Sequence, residues 1–160
     1  MTRKLAEPHQ AGKPQPPMEA ALSEAEAAAA RSEVPVGAVL VDEAGAIIAR
    51  AGNRTRELND PSAHAEMLVI RAACEASQSE RLPGCDLYVT LEPCAMCAAA
   101  ISFARIRRLY FGVSDPKGGA VEHGPRFFNQ PTCHHAPEVY GGIDEMRAGE
   151  ILKSFFKERR

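Results

Sequence analysis

The sequence lacks several features that would assign it to a membrane, secreted or nucleic-acid-coating class. No stretch approaches the roughly 18 consecutive apolar residues of a membrane span, and the first residues lack the apolar core of a secretory signal. The formal net charge is only -2, with acids and bases interspersed, which argues against an overall basic surface for nucleic acid or a polybasic membrane anchor. We therefore expect a cytoplasmic protein in which any RNA contact is a local patch.

The cysteines are too few and too scattered for a secreted disulfide framework. There are 5 of them, an odd number, in 160 residues. Cys74, Cys85 and Cys133 are expected to be small core or loop residues. The adjacent His134 and His135 have no partner motif that would indicate a second metal site.

Length and composition predict one domain preceded by a tail. A chain of 160 residues with 45% hydrophobic residues can bury one real core and leaves little room for a second. Residues 1–17 carry four prolines and almost no bulky apolar residues, so they are predicted to be a disordered tail before a domain at 18–160. No internal repeat is present.

The hydrophobic pattern predicts alternating helices and strands. The expected elements are a helix over 18–31, strands over 36–42 and 46–52, a helix over 64–77, a strand over 86–92, a helix over 95–105, a strand over 107–113 and a helix over 145–158. Residues 53–62 and 114–137 are expected to be loops. The last helix shows an apolar stripe of Ile151, Leu152, Phe155 and Phe156. This order predicts a layered α/β domain whose mixed sheet begins with an antiparallel pair.

Two short motifs carry the chemistry. His64-Ala65-Glu66 is followed about thirty residues later by Pro93-Cys94-Ala95-Met96-Cys97. One imidazole and two thiolates suit tetrahedral zinc, and three protein ligands leave the fourth position open for water, as in catalytic zinc sites. A lone Cys-x-x-Cys would also fit a redox pair or half of a structural zinc site, but the upstream motif favours catalysis.

The spacing places both motifs at helix starts. Cys94 and Cys97, three residues apart, share one helix face, and Pro93 is typical of a helix start. His64 and Glu66 would diverge by about 200° on a regular helix, so both must lie in the first turn and lean toward its tip. We therefore predict a site between two helix N-termini, where the helix dipoles favour thiolates and hydroxide.

Glu66 is expected to carry protons rather than to bind the metal. Zinc lowers the pKa of its water from about 15.7 to near 7, and a neighbouring carboxylate can move the released proton to the substrate. His-x-Glu followed by Pro-Cys-x-x-Cys is the signature of zinc-dependent nucleobase deaminases.

Longer segments narrow the family. TLEPCAMC preceded by LYV, together with NDPSAHAE, FGVSDPKGGA and a terminal FFKERR, resembles the bacterial tRNA-specific adenosine deaminases over roughly residues 18–160. The resemblance implies a three-layer α/β/α cytidine-deaminase-like fold with a central mixed sheet of about five strands. It also implies a homodimer that converts the wobble adenosine of a tRNA anticodon to inosine, with an arginine tRNA as the expected substrate. Between residues 120 and 142 the chain departs from the family pattern.

The resemblance also assigns roles to residues. One zinc ion per subunit would be held by His64, Cys94 and Cys97, with hydroxide attacking C6 of adenine and Glu66 as proton shuttle. Asn53 would contact the target nucleotide, and Asp115 would lie beside the anticodon loop. The basic residues of the C-terminal helix that would approach RNA are Lys157, Arg159 and Arg160.

Several basic residues have a structural alternative. Cations near the C-terminus, including Lys153, also complement the dipole of the last helix. Arg105, Arg107 and Arg108 suit phosphate positioning but equally suit an ordinary solvated turn.

Two other functions remain open from the sequence. The first is deamination of a free base or nucleotide, such as guanine or cytosine, with the same zinc chemistry. The second is a non-catalytic zinc-bearing binding module or partner subunit, although the intact Glu66 argues against it.

Overall fold

The computed structural model describes residues 15–159, and helices and strands alternate along them. The elements are α1 (Pro17–Ala30), β1 (Gly37–Val41), β2 (Ile47–Gly52), α2 (Ala65–Ser77), β3 (Asp86–Leu91), α3 (Ala95–Phe103), β4 (Arg108–Val113), a 3-10 turn (Phe127–Asn129), β5 (Glu138–Tyr140) and α4 (Glu145–Glu158). Residues 1–14 of the predicted tail lie outside this range. Pro17, which the sequence placed in the tail, is instead the first residue of α1, a position where proline is favoured.

The five strands form one mixed sheet in the order β2-β1-β3-β4-β5. β1 runs antiparallel to both β2 and β3, while β3, β4 and β5 run parallel to one another. The antiparallel opening pair and the sheet of about five strands are therefore confirmed. β5 was not located from the sequence, because it is a three-residue edge strand of exposed side chains between Pro137 and Gly141.

Helices cover both faces of the sheet, which confirms the three-layer α/β/α arrangement. Alternate residues of a strand point to opposite faces. Leu87 and Val89 of β3 pack with the cluster that α2 and α3 contribute to, while Tyr88 packs with the cluster that includes α1 and α4. β1 divides in the same way, since Leu40 joins the first cluster and Val39 the second.

The predicted apolar stripe of α4 is only partly buried. Phe155 is 6% exposed, but Phe156 is 50% exposed. The stripe therefore reaches the core at Phe155 but not at Phe156. Successive residues of a helix point about 100° apart, so burial of one ring turns its neighbour outward.

The remaining cysteines lie where the sequence predicts them. Cys85 is buried, and Cys74 and Cys133 are half-buried, all three as free thiols in the core or in loops. No helix formed by the described residues is long and apolar enough to cross a membrane.

Candidate active site

Two helix N-termini meet at the site, as the spacing predicts. His64 is the residue immediately before α2, and Cys94 is the residue immediately before α3. Both have extended backbones, with φ and ψ of -71° and 152° at His64 and of -74° and 176° at Cys94. Each carbonyl accepts the first hydrogen bond of its helix, from the N–H of Leu68 and Ala98 respectively. The orphan N–H groups of both helices therefore face the site.

The three predicted ligands converge on a common point. Nδ1 of His64 lies 3.6 Å from Sγ of Cys94 and 3.4 Å from Sγ of Cys97, and the three ligand atoms all lie within 4.8 Å of one another. A tetrahedral zinc ion, with bonds of about 2.3 Å to sulfur and 2.0 Å to nitrogen, would set each N···S separation near 3.5 Å. The residues present therefore fit zinc with the geometry they already have.

Protonation of the two thiols is coupled. A hydrogen bond from the Cys97 thiol lowers the pKa of Cys94 to about 4, and His64 adds to this effect. The pKa of Cys97 is raised, mainly by the same hydrogen bond and to a smaller extent by burial of the thiol. Its hydrogen bond with Cys94 also raises the pKa of His64. Zinc binds the deprotonated form of a thiol, so binding of the ion by these residues would release a proton from the pair.

Glu66 lies in the first turn of α2 beside these ligands but does not belong to their cluster. It is 4% exposed. Burial raises the pKa of its carboxyl, and hydrogen bonds from its own backbone N–H and from Cys97 only partly oppose the rise. A carboxyl whose pKa is raised toward neutrality can accept and return a proton, which suits the predicted shuttle.

Two of the three candidate ligands, His64 and Cys94, line a cavity of about 270 Å³ together with Glu66. This volume is near the lower limit of small-molecule sites, about 300 Å³, and suits one flat heterocycle. The remaining lining is mixed apolar and polar: Val34, Val36, Asn53, Thr55, Ala65, Leu91, Glu92, Asp115 and Gly118. Asn53 and Asp115, predicted from the family motif, therefore stand in the same cavity as the zinc ligands.

Asn53 presents an unpaired amide to this cavity. Its backbone is fixed at both ends, because its N–H donates to the carbonyl of Val36 and its carbonyl accepts from Nη2 of Arg31. The residue is 6% exposed, yet its Oδ1 has no hydrogen-bond partner among the described residues. A buried acceptor without a donor is costly, so a ligand that supplies an N–H or O–H would be favoured here.

A second, larger groove of about 1110 Å³ adjoins the cavity, with which it shares Val34, Leu91 and Asp115. It runs between residues 113–117 and α4, and Phe156 lies in it. Its cationic lining residues are Lys117, Lys153, Lys157 and Arg159. Two of the predicted RNA contacts, Lys157 and Arg159, thus line the groove, whereas Arg160 lies outside the described residues. The sequence reasoning missed Lys117, although DPKGGA places it next to Asp115.

The other basic candidates serve the scaffold. Arg107 makes two hydrogen bonds with the carboxylate of Asp86, both of 3.0 Å, and Arg108 pairs with Glu138 at 2.9 Å. Asp86, Arg108 and Glu138 are the first residues of their parallel strands, whereas Cys94 and Cys97 follow the last residue of β3. These ion pairs within the fold therefore account for Arg107 and Arg108 without a role in positioning phosphate.

The loop histidines and Cys133 also have structural partners. Nε2 of His135 lies 2.7 Å from the carbonyl of Ile106, and Cys133 hydrogen-bonds to the carbonyl of His135. Within residues 15–159, the only cluster of potential metal ligands is the one that contains His64.

Two buried carboxylates beside the cavity were not found from the sequence. Glu92 is 2% exposed and Glu33 is 1% exposed. Glu33 accepts hydrogen bonds from the backbone N–H groups of Arg56 and Glu57, at 3.3 and 2.7 Å. The only sequence signal was the placement of each acid beside apolar strand residues, which is unusual for a solvated carboxylate.

Comparisons with known proteins agree with this chemistry. Residues 13–113 match the cytidine and deoxycytidylate deaminase zinc-binding region. The tRNA-specific adenosine deaminase of Agrobacterium fabrum is 71% identical over 143 residues, which cover 89% of this chain and 93% of that protein. A solved structure from a study of A-to-I editing by tRNA:A34 deaminases has a TM-score of 0.84 at 71% identity, and covers 85% of this chain and 98% of that one. The guanine deaminase of Bacillus subtilis is 30% identical with a TM-score of 0.60, and covers 89% of this chain and 91% of that one. The chain therefore belongs to the zinc-dependent cytidine and deoxycytidylate deaminase family, within the group of bacterial tRNA-specific adenosine deaminases.

Proposed function

We propose that the chain hydrolyses the wobble adenosine of a tRNA anticodon to inosine. The observation that carries this proposal is that a cavity with room for one flat heterocycle, beside a set of residues that fits zinc, opens next to a groove lined by four cations. Water and adenosine are consumed, and inosine and ammonia are released. A tRNA substrate would also place the protein in the cytoplasm.

The chain's own residues supply proton transfer and positioning. When bound by His64, Cys94 and Cys97, zinc acts as a Lewis acid that lowers the pKa of water at its open position. Glu66 would accept a proton from the water that attacks C6 and return this proton to N1 of the ring. It would then move the second proton from the added oxygen to the amine, which leaves as ammonia. One buried carboxyl thus serves as base and as acid in turn.

Access to the cavity requires the target base to leave the anticodon stack. The cavity has room for one ring system, so a flipped-out base fits and a paired base does not. The unpaired Oδ1 of Asn53 is placed to accept a hydrogen bond from the flipped nucleotide. Asp115, at the junction of the cavity and the groove, is placed beside the nucleotides that flank it.

The groove suits the phosphates of the anticodon loop. No ion pair within residues 15–159 occupies the side chains of Lys153, Lys157 or Arg159. The guanidinium of Arg159 lies 3.5 Å from the ring centre of Phe155, which orients its charge along α4. The half-exposed ring of Phe156 adds an apolar surface on which an unstacked base can lie.

The test is inosine formation by the zinc-loaded protein on an arginine tRNA transcript with adenosine at the wobble position. Free adenosine, cytosine and guanine are assayed in parallel, and the matched control transcript carries guanosine at the wobble position. Inosine at that one position is the expected result. Turnover of a free base without tRNA editing would contradict the tRNA substrate and move the chain to base salvage.

A second measurement separates an enzyme from a zinc-bearing binding module. Glu66→Ala is expected to retain zinc and to lose turnover, whereas a binding module would bind tRNA equally well with either residue. The homodimer implied by the family is tested by light scattering at micromolar concentration, where a monomer alone would contradict it.

A further inference from the structure

The carboxylate of Glu92 is the hydrogen-bonding centre of the loop that follows β4. Its side chain is 0% exposed. Oε1 accepts from the N–H of Asp115 at 3.0 Å and lies 2.8 Å from Nδ1 of His123. Oε2 accepts from three consecutive N–H groups, those of Val121, Glu122 and His123, at 3.2, 3.1 and 3.2 Å. One carboxylate therefore gathers donors from both ends of residues 115–123.

This loop, residues 114–123, is named the rim loop because it borders both the cavity and the cationic groove. Asp115 belongs to the lining of both, Gly118 to that of the cavity and Lys117 to that of the groove. Inside the loop, Oδ1 of Asp115 accepts from the N–H groups of Lys117 and Gly118. The position of the residues that would meet RNA therefore depends on where Asp115 is held.

Gly119 shows how closely the rim loop fits this carboxylate. A Cβ atom at Gly119 would lie 2.3 Å from Oε2 of Glu92 and 2.5 Å from the carbonyl oxygen of Asp115. The backbone of the rim loop thus passes so close to Glu92 at residue 119 that only glycine fits there. The neighbouring N–H of Ala120 donates to the carbonyl of Pro93, next to Glu92.

We propose that Glu92 is a positioning residue for RNA capture, which holds the rim loop in its binding conformation before the substrate arrives. The expected change in KM on tRNA rests on the proposed tRNA function, whereas the expected change in loop order does not. Glu92 is not assigned a proton-transfer step, because its two oxygens are already occupied by four backbone N–H groups and one imidazole. If only a fraction of molecules has an ordered loop, the apparent affinity for RNA falls by that fraction.

Glu92→Gln is the decisive substitution because it conserves shape and removes one acceptor. A carboxylate accepts at both oxygens, whereas an amide accepts at one and presents N–H at the other. In either orientation of the amide, at least one backbone N–H of the rim loop faces another donor. Loss of a hydrogen bond to a charged acceptor predicts an increase of about tenfold or more in the fraction of open loop.

The first readout is backbone hydrogen exchange of the zinc-loaded protein without RNA. In Glu92→Gln, exchange over residues 114–124 should accelerate by about tenfold, with no change over 54–58. Glu33→Gln is the matched control, because Glu33 is an equally buried carboxylate that binds N–H groups of the loop at 56–57. This control should accelerate exchange over 54–58 and leave 114–124 unchanged.

The second readout is the division of the effect between KM and kcat on tRNA. KM should rise in Glu92→Gln by the factor by which the ordered fraction of the loop falls, while kcat stays within about threefold, because bound RNA restores the loop. Zinc content should be unchanged. His123→Ala, a substitution at a half-exposed residue that does not threaten folding, removes one contact and should shift exchange in the same direction by a smaller factor.

Three results would overturn the proposal. They are unchanged exchange of the rim loop in a folded Glu92→Gln protein, loss of zinc with that substitution, and a fall in kcat with KM unaltered. Should Glu92→Gln fail to fold, unchanged exchange in His123→Ala would count in the same way. Because exchange is measured without RNA, failure of the wild-type protein to edit tRNA would contradict the proposed function while the exchange result still decides the role of Glu92.

Discussion

Replacement of Glu66 by glutamine tests the centre of the proposed chemistry. Glu66 is 4% exposed in the first turn of α2, and glutamine matches its size while losing the ability to accept and return a proton. General acid–base catalysis contributes about 10²–10⁴ to a rate, which is about 3–5 kcal/mol of activation free energy. Since Glu66 would act once as base and once as acid, we expect a loss near the upper end of this range.

The same substitution should leave the scaffold and the metal in place. Glu66 lies outside the cluster of the three ligands, so zinc content should not change. Burial raises the pKa of Glu66, which means that the folded state disfavours its charged form, so a neutral isostere should maintain or slightly raise the melting temperature. The assay is single-turnover inosine formation with enzyme in excess, together with metal analysis and thermal unfolding.

A Glu→Gln substitution at an exposed position of the same helix is the matched control. Glu75 is exposed near the other end of α2, and Glu75→Gln should retain the wild-type rate. A loss of less than about threefold in Glu66→Gln, against the 10²–10⁴ expected of a proton carrier, would refute the assignment. So would a loss of activity that runs in parallel with a loss of zinc.

Four further predictions concern the metal, the core, the groove and the sheet edge. Chelation should abolish activity and lower the melting temperature, and Zn²⁺ but not Mg²⁺ should restore both, because two thiolates and an imidazole are poor magnesium ligands. Phe111→Ala, at a residue 1% exposed, should cost about 3–5 kcal/mol of unfolding free energy in urea titrations. Lys153→Gln combined with Lys157→Gln should raise KM for tRNA with little change in kcat, and should flatten the log–log salt dependence of binding by about 1.5. The pKa of Glu138, lowered mainly by its hydrogen bond with Arg108, should return toward 4.5 in Arg108→Gln by NMR titration, and the pair's contribution to stability should be complete above pH 4.5 and lost as the pH falls through the lowered pKa.

The convergence of the candidate site residues could be predicted from the sequence because their geometry is local. Cys94 and Cys97 are brought together by one turn of helix, and His64 and Glu66 by the start of another. The sheet is needed only to bring these two helix turns close to each other. The order of strands and helices along the chain constrains how they can meet. The bounds of α4 were also predicted correctly, since helix formers and apolar spacing agree along its whole length.

The supporting residues could not be predicted because their partners are remote. Glu92 meets N–H groups 23 to 31 residues later in the chain, and Glu33 meets N–H groups 23 and 24 residues later. Nothing in local spacing encodes such contacts, since backbone N–H groups carry no sequence signature. β5 was missed for a related reason: its three exposed residues depend on pairing with β4 rather than on their own pattern.

Substrate choice in this fold must therefore be set outside the metal centre. Zinc, two thiolates, one imidazole and a carboxyl activate water for attack on any amino-substituted ring that fits the cavity, so the same constellation suits a free base and a flipped nucleotide equally. What distinguishes the two substrates is the charge that accompanies a base in RNA, and the groove beside the rim loop and α4 offers four cations to meet it. A phosphate contact in the groove can improve catalysis only if the groove and the cavity keep a fixed position relative to each other. The binding free energy gained in the groove is then used to seat the base in the cavity. Asp115 belongs to both linings and Glu92 holds its backbone N–H, so we expect loss of this hydrogen bond to weaken the coupling between RNA binding in the groove and placement of the base in the cavity.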